Sequence, residues 1–410
     1  MSSITPSLPS SLSPPLPPAM LAGMRVLDLS RVLAGPWCGQ LLADYGADVI
    51  KVERPGSGDD TRGWGPPFWG DPADQMAAYY VSTNRGKRSI AVDLATTEGA
   101  ALVRQLAEHA DVLIENYKVG QLARYGLDYA VLAALNPKLI YCSITGYGQD
   151  GPYAQAAGYD FAIQATGGLM SVTGEKDGTP GAEPQKVGVA VSDLFTGVYS
   201  VTAILAALIE RGRSGRGRFI DAALLDVQVA MLANQASNYL VGGKTPKRMG
   251  NAHTNIVPYQ VFATLDGHIV LAVGNDGQFK RFCELAGRPN VALDPRYASN
   301  PARVERRAEL VPIIATWMLE RSTAAWVALL EPNAVPCAPI LELPQTFAHP
   351  QVVSRGMQVQ RGGMPMVAAP MRFDGERAVA HAPPPRLDEH GDAIRAALAA
   401  LDGKSGWPGV

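Results

Sequence analysis

The chain has 410 residues, 47% of them hydrophobic and 18% charged, enough apolar material for two compact domains and too much for a fibrous or wholly disordered protein. Thirty-six Lys and Arg against 38 Asp and Glu leave a formal net charge of -2. That balance excludes a global basic field for nucleic acid or an anionic membrane, while a local basic pocket stays open.

The longest uncharged apolar stretch, Val198 to Ile209, is shorter than the roughly 20 residues that span a bilayer, so no membrane partner is expected. Cys38, Cys142, Cys283 and Cys337 lack the close spacing of disulfide frameworks or zinc sites, which points to a reducing compartment, a cytoplasmic location and no metal. Residues 1–20, rich in Ser, Pro and Leu, read as a disordered leader without the basic and apolar regions of a secretory signal.

From Met24 the pattern alternates between short apolar runs and helical periodicity. Strands are expected at Arg25 to Ser30, Asp48 to Glu53, Arg88 to Leu94, Asp111 to Glu115 and Leu139 to Ile144. Helices are expected at Gly39 to Tyr45, Thr97 to His109 and Leu127 to Leu135. Such alternation predicts a mainly parallel sheet covered by helices. A glycine-rich stretch from Gly146 to Gly188 interrupts it with turn signals. A long helix then runs from Ser192 to Glu210 with Gly212 as its C-cap, followed by a strand at Phe219 to Leu224 and a helix to about Leu240.

The first large domain is therefore read over residues 21–240 and a linker over 241–255. A small domain over 256–330 has a strand pair about Asp266 and Gly267 and two helical stretches. Residues 331–410 return through short strands and Pro-rich turns to a final helix near Ala393 to Leu401.

Several loops carry candidate chemistry. Arg31 to Pro36 sits between the first strand and first helix, where doubly wound folds bind nucleotides, but lacks the G-x-G-x-x-G pattern. Arg54 and Arg62 flank a flexible glycine-containing loop that suits either phosphate contacts or solvated charge. Asn116 and Arg124 follow another strand on the same expected edge. Asp160 beside Tyr159 either orients a substrate or forms a turn. His253 is a loop histidine or a catalyst. Asp193 supports two readings: a helix N-terminal acid worth about 0.3 to 1 kcal/mol, or a carboxylate held ionised by helix-start N–H groups and poised as a nucleophile. Neither G-x-S-x-G nor H-E-x-x-H occurs, which removes support for serine-hydrolase and zinc mechanisms.

The strings Val26 to Pro36, Ala47 to Asp59, Asn84 to Ile90, Asp111 to Asn116 and Val191 to Asp193, continued by Gly250 to Ala252 and Val335 to Cys337, resemble the class III CoA-transferases. That family includes formyl-CoA transferase and α-methylacyl-CoA racemase, and the likeness runs from about Leu21 to Asp388. It implies an α/β fold, with a Rossmann-like large domain, a smaller α+β domain and ring-shaped chains interlaced as a homodimer.

CoA contacts would fall on Val32, Ala34, Arg54, Val92, Asp93, Leu94, Ala95, Asn116 and Arg124, with Asp193 as the catalytic residue. Tyr159, Asp160, Gly250, Asn251 and His253 would face the acyl substrate, and backbone N–H groups between Gly250 and Asn255 would stabilise an oxyanion. No tightly bound cofactor is implied, CoA and acyl-CoA being substrates. The family's chemistry passes through an aspartyl anhydride and an aspartyl-CoA thioester.

The Gly250 to Gln260 string looks most like branches that handle dicarboxylates, such as succinyl-CoA with glutarate-type or hydroxy-acid acceptors. Arg31 and Leu33 replace a histidine and a glutamine of formyl-CoA transferase. Tyr159 replaces the racemase histidine, and a phenol with a pKa near 10 is a poor base at neutrality. A racemase-like isomerase and a non-catalytic acyl-CoA binder are the alternatives to a CoA-transferase.

Overall fold

The computed structural model describes residues 19–72, 74–401 and 406–409, so the leader expected over residues 1–20 lies outside it except for its last two residues. The chain separates into two compact units. The first takes the chain up to Gly167, Val189–Met231 and the chain from Val353 onward, and the second takes Gly168–Gly188 and Leu232–Val352.

In the first unit the strand and helix alternation is realised as β1 (Arg25–Asp28), α1 (Ala34–Asp44), β2 (Asp48–Glu53), β3 (Lys87–Ala91), α2 (Thr97–His109), β4 (Val112–Glu115), α3 (Tyr129–Leu135), β5 (Ile140–Thr145), α4 (Asp160–Thr166), α5 (Val191–Ser214) and β6 (Phe219–Ala223). All neighbours in the sheet pair in parallel, in the order β3-β2-β1-β4-β5-β6. Strand order reverses between β1 and β4, which opens a crevice beyond their carboxyl ends.

Both faces of the sheet are covered, so its inner strands are apolar on both sides. Val26, Val49, Ile114 and Cys142 face one way, towards Leu42 of α1 and Ile204 of α5. Leu27, Ile50 and Leu113 face the other, towards Val103 and Leu106 of α2 and Ile394 and Leu398 of the final helix, Gly391–Ala400. That alternation is the period of two a strand imposes.

Several boundaries differ from the sequence reading. β3 stops at Ala91 because Asp93 makes a turn: its carbonyl accepts from Thr96 Oγ1 at 2.9 Å and its carboxylate accepts from Ala95 N at 2.9 Å. The glycine-rich stretch holds α4 and a short helix at Leu169–Val172. α5 runs through Gly212 and ends at Gly215, whose φ of 71° supplies the left-handed cap. Arg211 draws the helix on, pairing with Asp111 at 3.1 Å and donating to the Lys138 carbonyl at 3.1 Å. α5 is long and apolar enough to cross a bilayer, with a mean hydropathy of 1.6 over its most apolar window. One face of it packs within the first unit, burying Thr196, Ser200, Val201 and Ile204 against α1 and the sheet, while Phe195, Val198, Tyr199 and Ile209 are exposed.

The single helix expected up to Leu240 is two, Leu224–Met231 and Ala233–Gly242, with Ala233 at φ 44° between them. The first two residues of the expected linker, Val241 and Gly242, are therefore helical. In the second unit, β7 (Tyr259–Ala263) and β8 (His268–Ala272) pair antiparallel about Asp266 and Gly267 as expected, and β9 (Cys337–Pro339) joins β8. The two helical stretches become five helices, because Pro289 and Pro301 start new ones rather than continue old ones. They enclose a core of Phe262, Phe279, Phe282, Trp317 and Trp326.

Candidate active site at the carboxyl edge of the sheet

The residues leaving β1 are fixed from several sides at the point where strand order reverses. Asn116, just beyond β4, accepts from Arg31 N at 2.9 Å and donates to the Arg31 carbonyl at 2.7 Å. Lys51 Nζ donates to the Ser30 carbonyl at 2.8 Å and pairs with Asp59 at 2.9 Å, both side chains being fully buried. Burial opposes ionisation of Asp59, but the Lys51 charge and hydrogen bonds from Thr61 hold its carboxyl at about 2. The ionised Asp59 accepts in turn from Val32 N at 3.2 Å.

These anchors hold Val32 at φ 72°, a left-handed conformation that a β-branched residue adopts only when its surroundings impose it. α1 then starts at Ala34 with Leu33 at its N-cap and no side-chain cap, so its first N–H groups suit an anion.

Val32 and Ala34 line a cavity of about 540 Å³ together with Arg31, Asn116, Tyr159 and Asp193. Asp193 lies in the first turn of α5. Burial, and secondly the charge of Asp160, push its carboxyl up to about 7. Asp160, at the start of α4, uses Oδ1 to accept from Ser192 N at 2.8 Å and from Asp193 N at 3.4 Å, and its Oδ2 accepts from Gln164 Nε2 at 2.7 Å.

The helix-start N–H groups therefore go to Asp160. The second sequence reading gave those N–H groups to Asp193 itself, and the structure corrects it: Asp193 is an acid in the first turn of α5, as the first reading has it, and sits half-buried beside a second carboxylate. An ionised carboxylate in such a place is more basic and more nucleophilic than an ordinary one.

Five of the residues singled out in the sequence, Val32, Ala34, Asn116, Tyr159 and Asp193, share this cavity. Asp160 supports it from behind. Arg54 and Arg124 are exposed and do not line it, although the Arg54 charge reaches Tyr117, which does. Val92, Asp93, Leu94 and Ala95 form the turn into α2 and also lie outside its lining. Gly250, Asn251 and His253 belong to the second unit. There, His253 Nδ1 accepts from Asn255 N at 3.1 Å, its ring lies 5.2 Å from that of Tyr259, and Arg307 holds the His253 carbonyl at 2.6 Å.

Sequence reasoning missed Trp64 and Tyr79. Trp64 lines the cavity and meets Tyr79 edge-on, with ring centroids 5.2 Å apart. Burial, then the charges of Asp193 and Asp160, push the Tyr79 phenol up to about 12, so it stays protonated, a hydroxyl donor close enough to feel both carboxylates. The only signal for them was the density of aromatics around Trp64, Phe68, Trp69 and Tyr79.

A family model described as CoA-transferase family III matches residues 21–391. Among curated proteins, the chain is 54% identical to a succinate–glutarate CoA-transferase of Agrobacterium fabrum, over 93% of this chain and 96% of that protein. It is 44% identical to a succinyl-CoA:glutarate CoA-transferase of Homo sapiens, over 90% of this chain and 84% of that protein. Among solved structures, a CaiB/BaiF family protein from Brucella suis superposes with a TM-score of 0.82 at 52% identity, covering 92% of this chain and 99% of that one.

Proposed function

Because the chain belongs to CoA-transferase family III, we propose that it moves CoA from succinyl-CoA to a dicarboxylic acid such as glutarate, with Asp193 as the nucleophile. One observation carries the role of Asp193: of the two carboxylates that line the cavity with Val32, Ala34 and Asn116, Asp60 is paired with Arg31 at 2.9 Å, whereas Asp193 is made more basic by burial and by Asp160. The substrate pair follows the names of the two relatives above.

In this reading Asp193 Oδ attacks the thioester carbonyl, the C–S bond breaks, and an acyl-aspartyl anhydride and CoA thiolate form. The thiolate attacks the aspartyl carbonyl, the anhydride C–O bond breaks, and the donor acid leaves with the electron pair as a carboxylate. The acceptor carboxylate then attacks the aspartyl-CoA thioester and expels the thiolate. The thiolate attacks the acceptor's carbonyl, giving the new acyl-CoA and regenerating ionised Asp193. No net proton is consumed, so the site has chiefly to position and to stabilise oxyanions.

The open N–H groups of α1 support a CoA site along Val32 and Ala34, and Asn116 acts by holding that loop. Arg54, Arg124 and residues 92–95 complete the CoA contacts in this proposal, Tyr159 and Asp160 the acyl side. A cytoplasmic homodimer is part of the same reading, supported by the family likeness and by the exposure of Leu240 and Val241 in the single chain.

Incubation with succinyl-CoA and then hydroxylamine is expected to leave a hydroxamate on Asp193, found by peptide mass spectrometry. Asp193→Asn is expected to lose activity by on the order of a thousandfold or more. An unmodified Asp193 in wild type across a donor panel would sink the covalent mechanism. Deuterium uptake at the α-carbon of an acyl-CoA, without exchange between acids, would instead mark an isomerase.

A further inference from the structure

The last part of the first unit carries a second concave site, of about 300 Å³, that shares no lining residue with the Asp193 cavity. Arg355, Arg361, Arg372 and Arg377 converge on it with His381, and Glu376 is the one carboxylate in its lining. Arg372 and Arg377 stand directly opposite each other in a short antiparallel hairpin, Arg372–Phe373 paired with Glu376–Arg377. Like charges in that position repel and destabilise a hairpin.

The guanidinium groups of Arg361, Arg372 and Arg377 find only main-chain acceptors. Arg372 and Arg377 both donate to the Arg355 carbonyl, Arg377 also to the Ala369 carbonyl, and Arg361 to the Ala380 carbonyl at 2.7 Å and the Gln360 carbonyl at 2.9 Å. None of the four arginines forms an ion pair among the described residues. Asp44, whose charge reaches Arg361, is occupied by Arg85 at 2.6 Å. Burial, then the neighbouring Arg372 and Arg355 charges, hold the Arg377 guanidinium below its usual value.

Carbonyl oxygens fix where the Arg361, Arg372 and Arg377 groups point without neutralising them, and with Arg355 beside them the cluster is uncompensated. A single carboxylate would be outnumbered by four guanidinium groups. A phosphate carries up to two charges and acceptors on every face, and the planar forks of arginine match it bidentately. The volume lies at the small end of ligand sites, enough for a phosphate ester or diphosphate. We propose that Arg355, Arg361, Arg372 and Arg377 form a binding site for a multiply charged, phosphorylated small molecule, separate from the CoA-transfer cavity.

Pyrophosphate is the probe, titrated calorimetrically into the full-length wild-type protein and into the R372Q/R377Q double variant, with the single variant R361Q as a second test. The expected result is saturable binding in wild type, weakened about tenfold or more, or ~1.4 kcal/mol, in both variants. kcat and the KM for succinyl-CoA are expected to stay unchanged. Melting without ligand should show the double variant no less stable than wild type, since a like-charge pair has been removed. Absent binding in wild type, or equal binding in all three proteins, overturns the proposal. So does a double variant that binds pyrophosphate normally but changes oligomeric state on size exclusion, because the arginines would then serve a protein contact.

Discussion

Asp160 and Asp193 both stand at the N-terminal end of α5, yet only Asp160 receives its N–H groups, and the difference sets what each can do. A carboxylate bonded to helix-start N–H groups is stabilised as an anion, and its negative charge then discourages a second anion beside it. In the proposed mechanism Asp193, raised from 3.8 to about 7, must be ionised to attack a thioester. Activity should accordingly rise with pH through about 7 and be lost below it. For stability the sign is opposite: a raised native pKa favours folding most below the unfolded value, and that contribution fades as pH rises towards 7. Asp160→Asn keeps an oxygen to accept from Ser192 N while removing the charge. Because burial is the larger cause of the shift, the acidic limb of kcat/KM against pH is expected to move down only part of the way, about one unit. An acidic limb left at its wild-type position in Asp160→Asn would show that Asp160 does not tune Asp193.

At the scale of elements, the distance between α5 and α1 decides where Asp193 stands against the loop that leaves β1. Gly197 lies four residues after Asp193, on the same face of α5. A Cβ there would meet the Ala34 carbonyl at 2.7 Å and Trp37 Cδ1 at 2.9 Å, closer than packing tolerates. Gly197→Ala is therefore expected to push the helices apart, costing about 1 to 3 kcal/mol of stability. It should also lower kcat by roughly tenfold or more through misplacement of Asp193, the proposed nucleophile. Denaturant melts and steady-state kinetics check both, and a variant with normal kcat would show that this close approach does not set the geometry. The alternation from β1 to β5 was legible in sequence because each of those elements announces itself by its own local period. The extent of α5 was not: Gly212 and Gly215 are both plausible caps, and the choice between them is made by Arg211 reaching Asp111 and Lys138, contacts about a hundred and about seventy residues away in the chain. Asp193 was visible as a carboxylate at a helix start, but the capture of that start by Asp160 depends on folding the glycine-rich stretch back as α4. Trp64 and Tyr79 were invisible as site residues for the same reason, since no spacing relates them to Asp193.

For the whole molecule, the net charge of -2 predicts weak repulsion of an anionic acyl-CoA, whereas the proposed CoA site predicts attraction. Lys118 lines the Asp193 cavity, and the exposed Arg54 and Arg124, outside that lining, are the further cations of the proposed CoA contacts. The two pictures give salt effects of opposite sign. If the average charge governed encounter, added salt would screen repulsion and raise kcat/KM for succinyl-CoA. If local cations govern it, salt should lower kcat/KM, because nearby charges of like sign act on the ligand more strongly than a diffuse balance elsewhere. The expected result is a severalfold decline between about 0.01 and 0.15 M ionic strength, as the screening length falls from about 30 Å to about 8 Å. Arg54→Gln and Arg124→Gln should each flatten that decline and raise the KM for succinyl-CoA without changing kcat, since neither group reaches the reacting carbonyl in this arrangement. A rise in kcat/KM with salt would remove Arg54 and Arg124 from the CoA site and return the question of how the anion is held to the N–H groups of α1.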